Sequence, residues 1–222
     1  MLSGALLVLA AGFAGLGVWQ VERGEWKLDL IAAVANRATA EPVQAPPSAN
    51  ADDAYRRVWM QGRYRHDQET LVRAVSELGS GYWVMTPLET GGRTVLINRG
   101  FITQQQRATA RHEPAGTIKV VGLLRLTEPN GGFLRSNDPV TNRWFSRDVA
   151  EIARSRMIRD PANYFVDADA SLNSASAPIG GLTVIKFADN HAAYALTWFA
   201  MSLLPLLALW IITTGRSRAE GR

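Results

Sequence analysis

The longest uncharged run in this chain covers residues 190–215 and reads NHAAYALTWFAMSLLPLLALWIITTG. Residues 192–214 reach about 34 Å as an α-helix, because each residue adds about 1.5 Å. That length is enough to cross a hydrocarbon core about 30 Å thick. Inside hydrocarbon a single segment can satisfy its backbone polar groups only as a helix. The run therefore predicts a transmembrane helix over residues 191–214.

A second apolar run begins the chain. Residues 1–19, MLSGALLVLAAGFAGLGVW, span about 28 Å as a helix. The competing interpretation is a cleaved signal peptide, but the usual basic residues are missing and the run is longer than a typical signal core. We therefore expect a retained transmembrane helix. Ala11 and Gly15 form a small-xxx-small pair, which predicts close packing of this helix against the other one.

Arginines set the expected orientation of the two spans. Arg216, Arg218 and Arg222 lie in the tail, residues 215–222, and basic residues beside a span favour the cytoplasmic side. Both termini are then cytoplasmic, and the domain between the spans lies in the periplasm of a bacterium. The expected location is the bacterial plasma (inner) membrane, crossed twice.

Between the two spans the chain divides into three parts. Residues 20–37, QVERGEWKLDLIAAVANR, keep a helical period, so the first helix is expected to continue out of the membrane. Residues 38–54 contain three prolines and are predicted to be a linker. Residues 55–190 form a β-rich domain outside the cytoplasm.

Alternating and β-branched runs predict the strands of this domain. They are RRVWMQGRYR, ETLVRAV, GYWVMTPLE, RTVLINRGF, TIKVVGLLRL and NYFVDAD, with NRWFSRD as a short strand and TVIKF (183–187) as a candidate last strand. Gly91 and Gly92 predict a hairpin turn, and VAEIARSRM a short helix. The predicted fold class is a membrane protein of α+β type. Two transmembrane helices, forming a helical hairpin, flank a mainly antiparallel, barrel-like β-domain.

Composition excludes several function classes. Three of the 24 Lys and Arg residues and one of the 20 Asp and Glu residues lie in the tail, so 21 basic side chains face 19 acidic ones between residues 20 and 190. Such a balanced domain lacks the basic patch of a nucleic-acid binder. The chain has no cysteine, so disulfides and thiolate metal sites are excluded. His66 and His112 lie among polar residues, which predicts surface positions for both.

Five parts of the sequence carry a family resemblance. They are LGVWQVERGEWKLDLI, GYWVMTPLETGGRTVLINRGF, LLRLTEPNGGF with NDPVTNRWFSRD, YFVDAD, and NHAAYALTWF. In this order, and over nearly the whole chain, they resemble the Surfeit-locus-one family of cytochrome oxidase assembly factors. Two positions depart from the family pattern: Phe101 stands where tryptophan is usual, and Asp189 where a second asparagine is common.

The resemblance implies a two-span, non-catalytic protein that assists maturation of subunit I of haem–copper oxidases. Subunit I and membrane lipid are the implied partners, with haem A synthase as a further one. In bacterial members the resemblance also implies binding of haem A, with His191 as the axial iron ligand. It makes the NRGF and NRWFSRD segments candidates for contact with the client oxidase.

The residue types around His191 suit haem. Imidazole is a common axial ligand of haem iron, and the macrocycle could lie against Tyr194, Ala195 and Trp198, which share a helical stripe with His191. The competing interpretation is that His191 is an interfacial polar residue, with Tyr194 and Trp198 as aromatic anchors. Residue spacing leaves both interpretations open, and the resemblance favours haem.

Three cations are candidates for pairing with the haem propionates. Arg23 and Lys27 leave the first span at the membrane surface, and Lys186 precedes the second span. Each could donate charge-assisted hydrogen bonds to a carboxylate. The alternative is that Arg23 and Lys27 are solvated side chains beside two interfacial tryptophans, Trp19 and Trp26.

Two other function classes remain as alternatives to an assembly factor. An accessory or structural subunit that stays with a respiratory oxidase would use its helices as a docking surface and would co-purify with the mature oxidase. A membrane-anchored hydrolase is disfavoured, because the sequence has no G-x-S-x-G or H-E-x-x-H motif. We therefore expect no enzymatic activity.

The arginine tail makes the orientation testable. Reporter fusions joined near Pro47 or Asp169 should be active in the periplasm, and a fusion after Arg222 should be active in the cytoplasm. The measurement is the activity of paired alkaline phosphatase and fluorescent protein fusions. A periplasmic C-terminus would contradict the two-span topology.

Overall fold

The computed structural model describes residues 2–108, 113–132, 134–173, 178–183 and 190–220, with side chains described up to residue 214 in the last segment. The chain divides into two units. One joins Met1–Ala33 to Lys186–Arg222 and is helical, and the other, Val34–Ile185, contains the β-rich residues.

Two long helices lie at the ends of the described chain. Helix α1 is Leu2–Thr39, α2 is the short Val149–Ser155, and α3 is His191–Glu220. Within the described residues, α1 and the His191–Thr214 part of α3 are long and apolar enough to cross a membrane, by length and composition. Helix α1 runs without a break from the apolar run through the expected extension.

The two long helices pack against each other through a glycine and an aromatic ring. A Cβ added at Gly17 would lie 2.6 Å from the ring of Phe199, so a larger residue there would require this ring to move. One turn earlier on α1, the rings of Phe13 and Trp198 stack with centroids 5.9 Å apart. Small residues allow helix backbones to approach closely, as they do here.

The expected pairing through Ala11 and Gly15 is wrong. Both residues are exposed, and no described atom lies within 4 Å of a Cβ added at Gly15. Successive residues turn about 100° around a helix, so Gly15 points well away from Gly17. This part of α1 contains several overlapping small-residue spacings, and the position of Phe199 on α3 selects Gly17.

Seven strands form the described sheet. They are β1 Val43–Gln44, β2 Arg57–Tyr64, β3 Thr70–Ser76, β4 Gly79–Thr90, β5 Arg93–Thr103, β6 Ile118–Leu126 and β7 Pro161–Ala168. Short 3₁₀ helices occur at Ala51–Asp53, His66–Gln68, Gln105–Ala108 and Ala170–Leu172. The hairpin at Gly91 and Gly92 is confirmed, with both residues at positive φ between β4 and β5. Helix α2 is also confirmed, and the Asp148 carboxylate caps its first turn.

The sheet closes into a five-stranded barrel. Its order is β2-β6-β7-β5-β4, and β4 pairs with β2 again at Arg63↔Glu89 and Tyr64↔Leu88. A Cβ added at Gly62 would lie 2.2 Å from the carbonyl oxygen of Glu89, so glycine permits the close approach that closes the barrel. The sequence prediction of a barrel-like sheet between two long apolar helices is therefore confirmed.

Two local predictions differ from the structure. The sheet is mainly antiparallel, as predicted, with parallel pairs at β5–β7 and β1–β2, but β1 lies in the predicted linker. The NRWFSRD segment forms isolated bridges, such as Val72↔Trp144, in place of a strand. Of the candidate strand TVIKF, residues 184–187 lie outside the described residues.

Two apolar clusters form the main core of the β-domain. One fills the barrel and includes Val58, Leu88, Ile97, Leu124 and Tyr164. The other lies between the sheet and α2 and includes Met85, Trp144, Ile152 and Phe165. These clusters bury alternate faces of the same strands, which explains the nearly continuous apolar runs in β4, β5 and β7.

Substitution of Gly17 tests the helix contact. We expect Gly17→Leu to lower the melting temperature of the purified protein in detergent, because the new side chain must displace Phe199 and overpacking costs about 1–3 kcal/mol. The matched control is Gly15→Leu, which adds the same side chain at an exposed position and should leave the melting temperature unchanged. The reverse result would show that the helices pair through the Ala11 and Gly15 face.

Candidate functional site

His191 begins α3 and contacts α1. Its Nδ1 atom lies 2.7 Å from Oε1 of Gln20, and the ring is half-buried. A Cβ added at Gly24 would lie 3.2 Å from Cβ of His191. Gln20 and Gly24 are four residues apart, so both are on the side of α1 that faces the histidine. The helix pair therefore holds the imidazole through one polar contact and one close backbone approach.

The two predicted cations of α1 lie in different surroundings. Lys27 is half-buried and follows Gln20 by seven residues, which puts it on the same side of the helix as the histidine contact. Arg23 is exposed, and its guanidinium lies 4.0 Å from the centroid of the Trp26 ring. A cation over an aromatic face is already stabilised. By its position on the helix, Lys27 lies nearer than Arg23 to the face of α1 that contacts His191.

The predicted aromatic residues of α3 also separate. Tyr194 is 56% exposed, so its ring is accessible one turn after His191. Trp198 is half-buried and stacks on Phe13, which ties it to the helix contact. The exposed ring of Tyr194 can cover a flat apolar ligand, whereas the ring of Trp198 packs against Phe13 of α1.

Gln20 and Gly24 are the site residues that the sequence prediction missed. Both lie in the quoted family segment, but neither titrates or carries a charge, so neither attracted a functional assignment. The signal that could have found them is helical spacing. Gln20, Gly24 and Lys27 stand at i, i+4 and i+7, and they form a polar and small face immediately after an apolar run.

The described residues around His191 offer one imidazole as a ligand. Among the described residues no group of three or more His, Asp and Glu side chains could hold a metal ion. Haem would need fewer protein ligands than a bare ion, because the porphyrin itself supplies four nitrogens to the iron. A half-buried imidazole with an accessible ring on one side and a lysine on the other is consistent with that requirement.

A second candidate site is a buried polar cluster in the β-domain. The Asp167 carboxylate is 4% exposed and accepts four hydrogen bonds. Asn98 Nδ2 and Arg147 Nη1 donate to Oδ1 at 2.7 and 3.0 Å. Arg125 Nη1 and Thr183 Oγ1 donate to Oδ2 at 2.8 and 2.9 Å. These donors fill the acceptor sites that a carboxylate offers.

Glu128 binds the same two arginines. Arg147 donates to it from Nε at 2.9 Å and from Nη2 at 2.6 Å, and Arg125 from Nη2 at 3.3 Å. Burial alone would lower the pKa of Arg147, but the carboxylates of Asp167 and Glu128 outweigh this effect and raise it. The arginine therefore stays charged, and two positive groups balance two negative ones.

A cavity of about 330 Å³ opens beside this cluster. Its lining includes Trp83, Asn98, Arg125, Arg147, Asp167 and Thr183. A catalytic pocket would need a nucleophile beside a base, or a carboxylate with an unfilled acceptor site. Here Asp167 is saturated by donors, and the charges are matched in pairs. The cluster is best described as a clamp that joins β5, β6, β7 and the chain around residue 147.

The prediction that the NRGF segment contacts the client oxidase directly is wrong. Asn98, Arg99 and Phe101 are all buried, and Gly100, at φ +133°, lies against the backbone of Ile179. A side chain inside the domain cannot reach another protein. The segment serves the clamp and the core.

The NRWFSRD segment is only partly accessible. Trp144 and Ser146 are buried, whereas Asn142 and Arg143 are exposed. Contact of this segment with a client therefore stays a prediction for its exposed and half-buried residues.

The expected surface position of His66 holds only in part. It is half-buried, with Nε2 at 3.3 Å from the carbonyl oxygen of Pro114 and Nδ1 at 3.4 Å from Arg99 Nη1. His112, Lys186 and Asp189 lie outside the described residues. The predictions for these three positions are therefore untested.

The fold and the site together define a class of protein. In its sequence a long apolar helix precedes a five-stranded barrel and a second one follows it, and a histidine at the start of the second helix contacts the first. The SURF1 family model matches residues 7–203, and the chain belongs to this family. It is 34% identical over 218 residues to Surfeit locus protein 1 of Mus musculus, covering 88% of this chain and 70% of the mouse protein. The resemblance inferred from the sequence is confirmed.

Two further relatives show the same extent of similarity. Surfeit locus protein 1 of Takifugu rubripes is 33% identical over 219 residues, which cover 88% of this chain and 90% of that protein. The Homo sapiens protein of the same name is 33% identical over 220 residues, which cover 89% and 72% respectively. The residues matched by the family model, 7–203, include most of α1, all of the barrel strands and the first part of α3.

The clamp predicts a large effect of removing one arginine. Arg147→Met removes one of the two arginines that Asp167 and Glu128 share, and breaking a buried charge cluster in this way costs about 3–5 kcal/mol. We expect a decrease of that size in the free energy of unfolding of the β-domain, measured by urea titration with tryptophan fluorescence. The control Arg63→Met, at an exposed position of β2, should change it by less than about 0.5 kcal/mol. Equal effects would argue against a clamp.

Proposed function

We propose that this protein is a membrane-anchored, non-catalytic assembly factor for haem–copper (cytochrome c) oxidase. It binds haem A through His191 and assists its insertion into subunit I. Membership of the SURF1 family supports the assembly role. The observation that carries the haem-binding part is the half-buried imidazole of His191, held at the start of α3 by Gln20 of α1.

The residues around His191 would divide the work of holding haem. The imidazole would ligate the iron, and haem would supply the flat apolar macrocycle and the two propionates. Tyr194 would cover one edge of the ring, with Trp198 closing the space one turn further on. Lys27 would pair with a propionate, since a charge-assisted hydrogen bond is favourable at a half-buried position. Arg23 would be a second partner, although binding would compete with its contact to Trp26.

The position of the histidine suits a protein that receives and releases haem. If His191 were the one protein ligand, release of haem would require breaking one bond to the protein, whereas a carrier with two protein ligands would retain haem more firmly. The ring of Tyr194 is exposed, so the proposed pocket is open along one side. An open, singly ligated site favours transfer to subunit I over permanent storage.

The proposed setting is the plasma membrane of a bacterium. Helices α1 and α3 would both span it, with the termini in the cytoplasm and the β-domain in the periplasm. The arginine tail and the two apolar helices support this arrangement. Subunit I is the proposed client, haem A synthase is a proposed source of haem, and lipid surrounds the helices.

Loss of the histidine separates ligation from anchoring. We expect His191→Ala, made in a strain that synthesises haem A, to yield inserted and folded protein without bound haem, because alanine there leaves no buried charge unpaired. The measurement is the visible absorption spectrum of the purified protein, with circular dichroism to confirm folding. Oxidase from the same strain should be present but short of haem in its active site.

The matched control is Trp210→Ala on the same helix. Trp210 is exposed near the other end of α3, so its loss removes a large aromatic side chain far from the proposed pocket. Haem content should remain at the level of the unsubstituted protein. Full retention of haem with an unchanged spectrum in His191→Ala would refute the ligand assignment and leave His191 as an interfacial residue.

A further inference from the structure

The contact between Gln20 and His191 indicates which ring nitrogen of the imidazole carries the proton. The atom of Gln20 that faces the ring is the carbonyl oxygen Oε1, 2.7 Å from Nδ1. A carbonyl oxygen can only accept a hydrogen bond. With Oε1 facing the ring, this arrangement has the proton on Nδ1, which donates it to Gln20. In a neutral imidazole with its proton on Nδ1, the lone pair that can bind a metal is on Nε2.

We propose that Gln20 is a positioning residue that holds His191 in the Nδ1–H tautomer and thereby makes Nε2 the iron-binding atom. This inference rests on the proposed function of His191 as a haem ligand and names the residue that orients it. Histidines that ligate metals generally donate their second ring N–H to a nearby acceptor, which fixes both the tautomer and the direction of the ring. Gln20 is such an acceptor, and it comes from the other helix.

Gly24 supports the same geometry. A methyl group at this position would lie 3.2 Å from Cβ of His191, which is tighter than an ordinary van der Waals contact. The absence of a side chain therefore lets the histidine backbone come near α1. Gln20, one turn earlier, is then within hydrogen-bond distance of the ring. The hydrogen bond and the glycine together determine where Nε2 points.

The chemical type of the acceptor matters as well. A carboxylate in place of the amide would attract the Nδ1 proton more strongly and raise the basicity of the ligand. It would also add a negative charge beside an apolar helix, which is unfavourable. A neutral amide fixes the tautomer without adding a charge, and it attracts the Nδ1 proton less strongly than a carboxylate does. A weaker pull on this proton suits a protein that gives haem up.

The tautomer can be measured without haem. The full chain, labelled with ¹⁵N-histidine and carrying His66→Gln and His112→Gln, retains His191 as its single histidine. At a pH where the imidazole is neutral, we expect a protonated Nδ1 and an unprotonated Nε2 in the ¹⁵N spectrum. In Gln20→Leu the acceptor is lost, and the population should shift toward the Nε2–H tautomer. A protonated Nε2 in the protein that retains Gln20 would overturn the inference.

The haem-loaded protein provides a second readout. Gln20→Leu should keep the histidine-ligated spectrum but retain haem about 10–100-fold less tightly, as is usual when the acceptor behind a metal ligand is lost. Gln20→Glu restores an acceptor, so it should restore retention and lower the midpoint potential of the bound haem. A merely structural role of Gln20 would not move the potential. An unchanged affinity and potential in both variants would contradict positioning.

The two readouts also separate this inference from the proposed function. The control Glu22→Leu changes an exposed side chain of α1 two residues away and should alter neither the tautomer nor haem retention. If His191→Ala keeps its haem, the ligand assignment fails, and the tautomer of the haem-free protein still decides whether Gln20 orients the ring. If His191→Ala loses haem but Nε2 is protonated, ligation stands and positioning by Gln20 is refuted.

Discussion

The arrangement of the chain segments in the β-domain depends on one buried carboxylate. Asp167 lies on β7 and needs cationic and polar donors, because an ionised carboxylate without partners is very unfavourable inside a protein. Those donors come from β5, β6 and the chain around residue 147. A buried charge cluster need not add net stability, but it does penalise every arrangement that leaves a charge unpaired. Asp167 therefore determines the path of chain segments that have little regular structure of their own.

Local features of the fold could be predicted from the sequence, whereas pairings between distant segments could not. The turn at Gly91 and Gly92 and the capping of α2 by Asp148 depend on a few adjacent residues. Strand β1 consists of two residues, and its pairing with β2 is its main support, so no periodicity marks it. The parallel pair β5–β7 is equally invisible, because it depends on how the intervening chain crosses the barrel.

The residues of the candidate site also differ in whether the sequence could predict them. His191 could be identified because a titratable ring at the end of a long apolar run is unusual. Gln20 could not, since its role becomes visible only when α3 lies beside it. The prediction of the contact between the two long helices was wrong for a related reason. Small residues recur along α1 at several helical spacings, and only the ring of Phe199 distinguishes Gly17 from Gly15.

The hydrogen bond between Gln20 and His191 is too weak to be the main reason that the helices pair. Hydrogen bonds between helices in membranes average about 0.6 kcal/mol, and the close packing at Gly17 and the stack of Phe13 on Trp198 supply contacts that do not need a polar group. The same bond has a large effect on the imidazole, because the two tautomers present different atoms to a ligand. Gln20 therefore contributes little to stability, but its hydrogen bond strongly constrains which nitrogen of His191 can bind a ligand. This difference separates a positioning residue from a structural one.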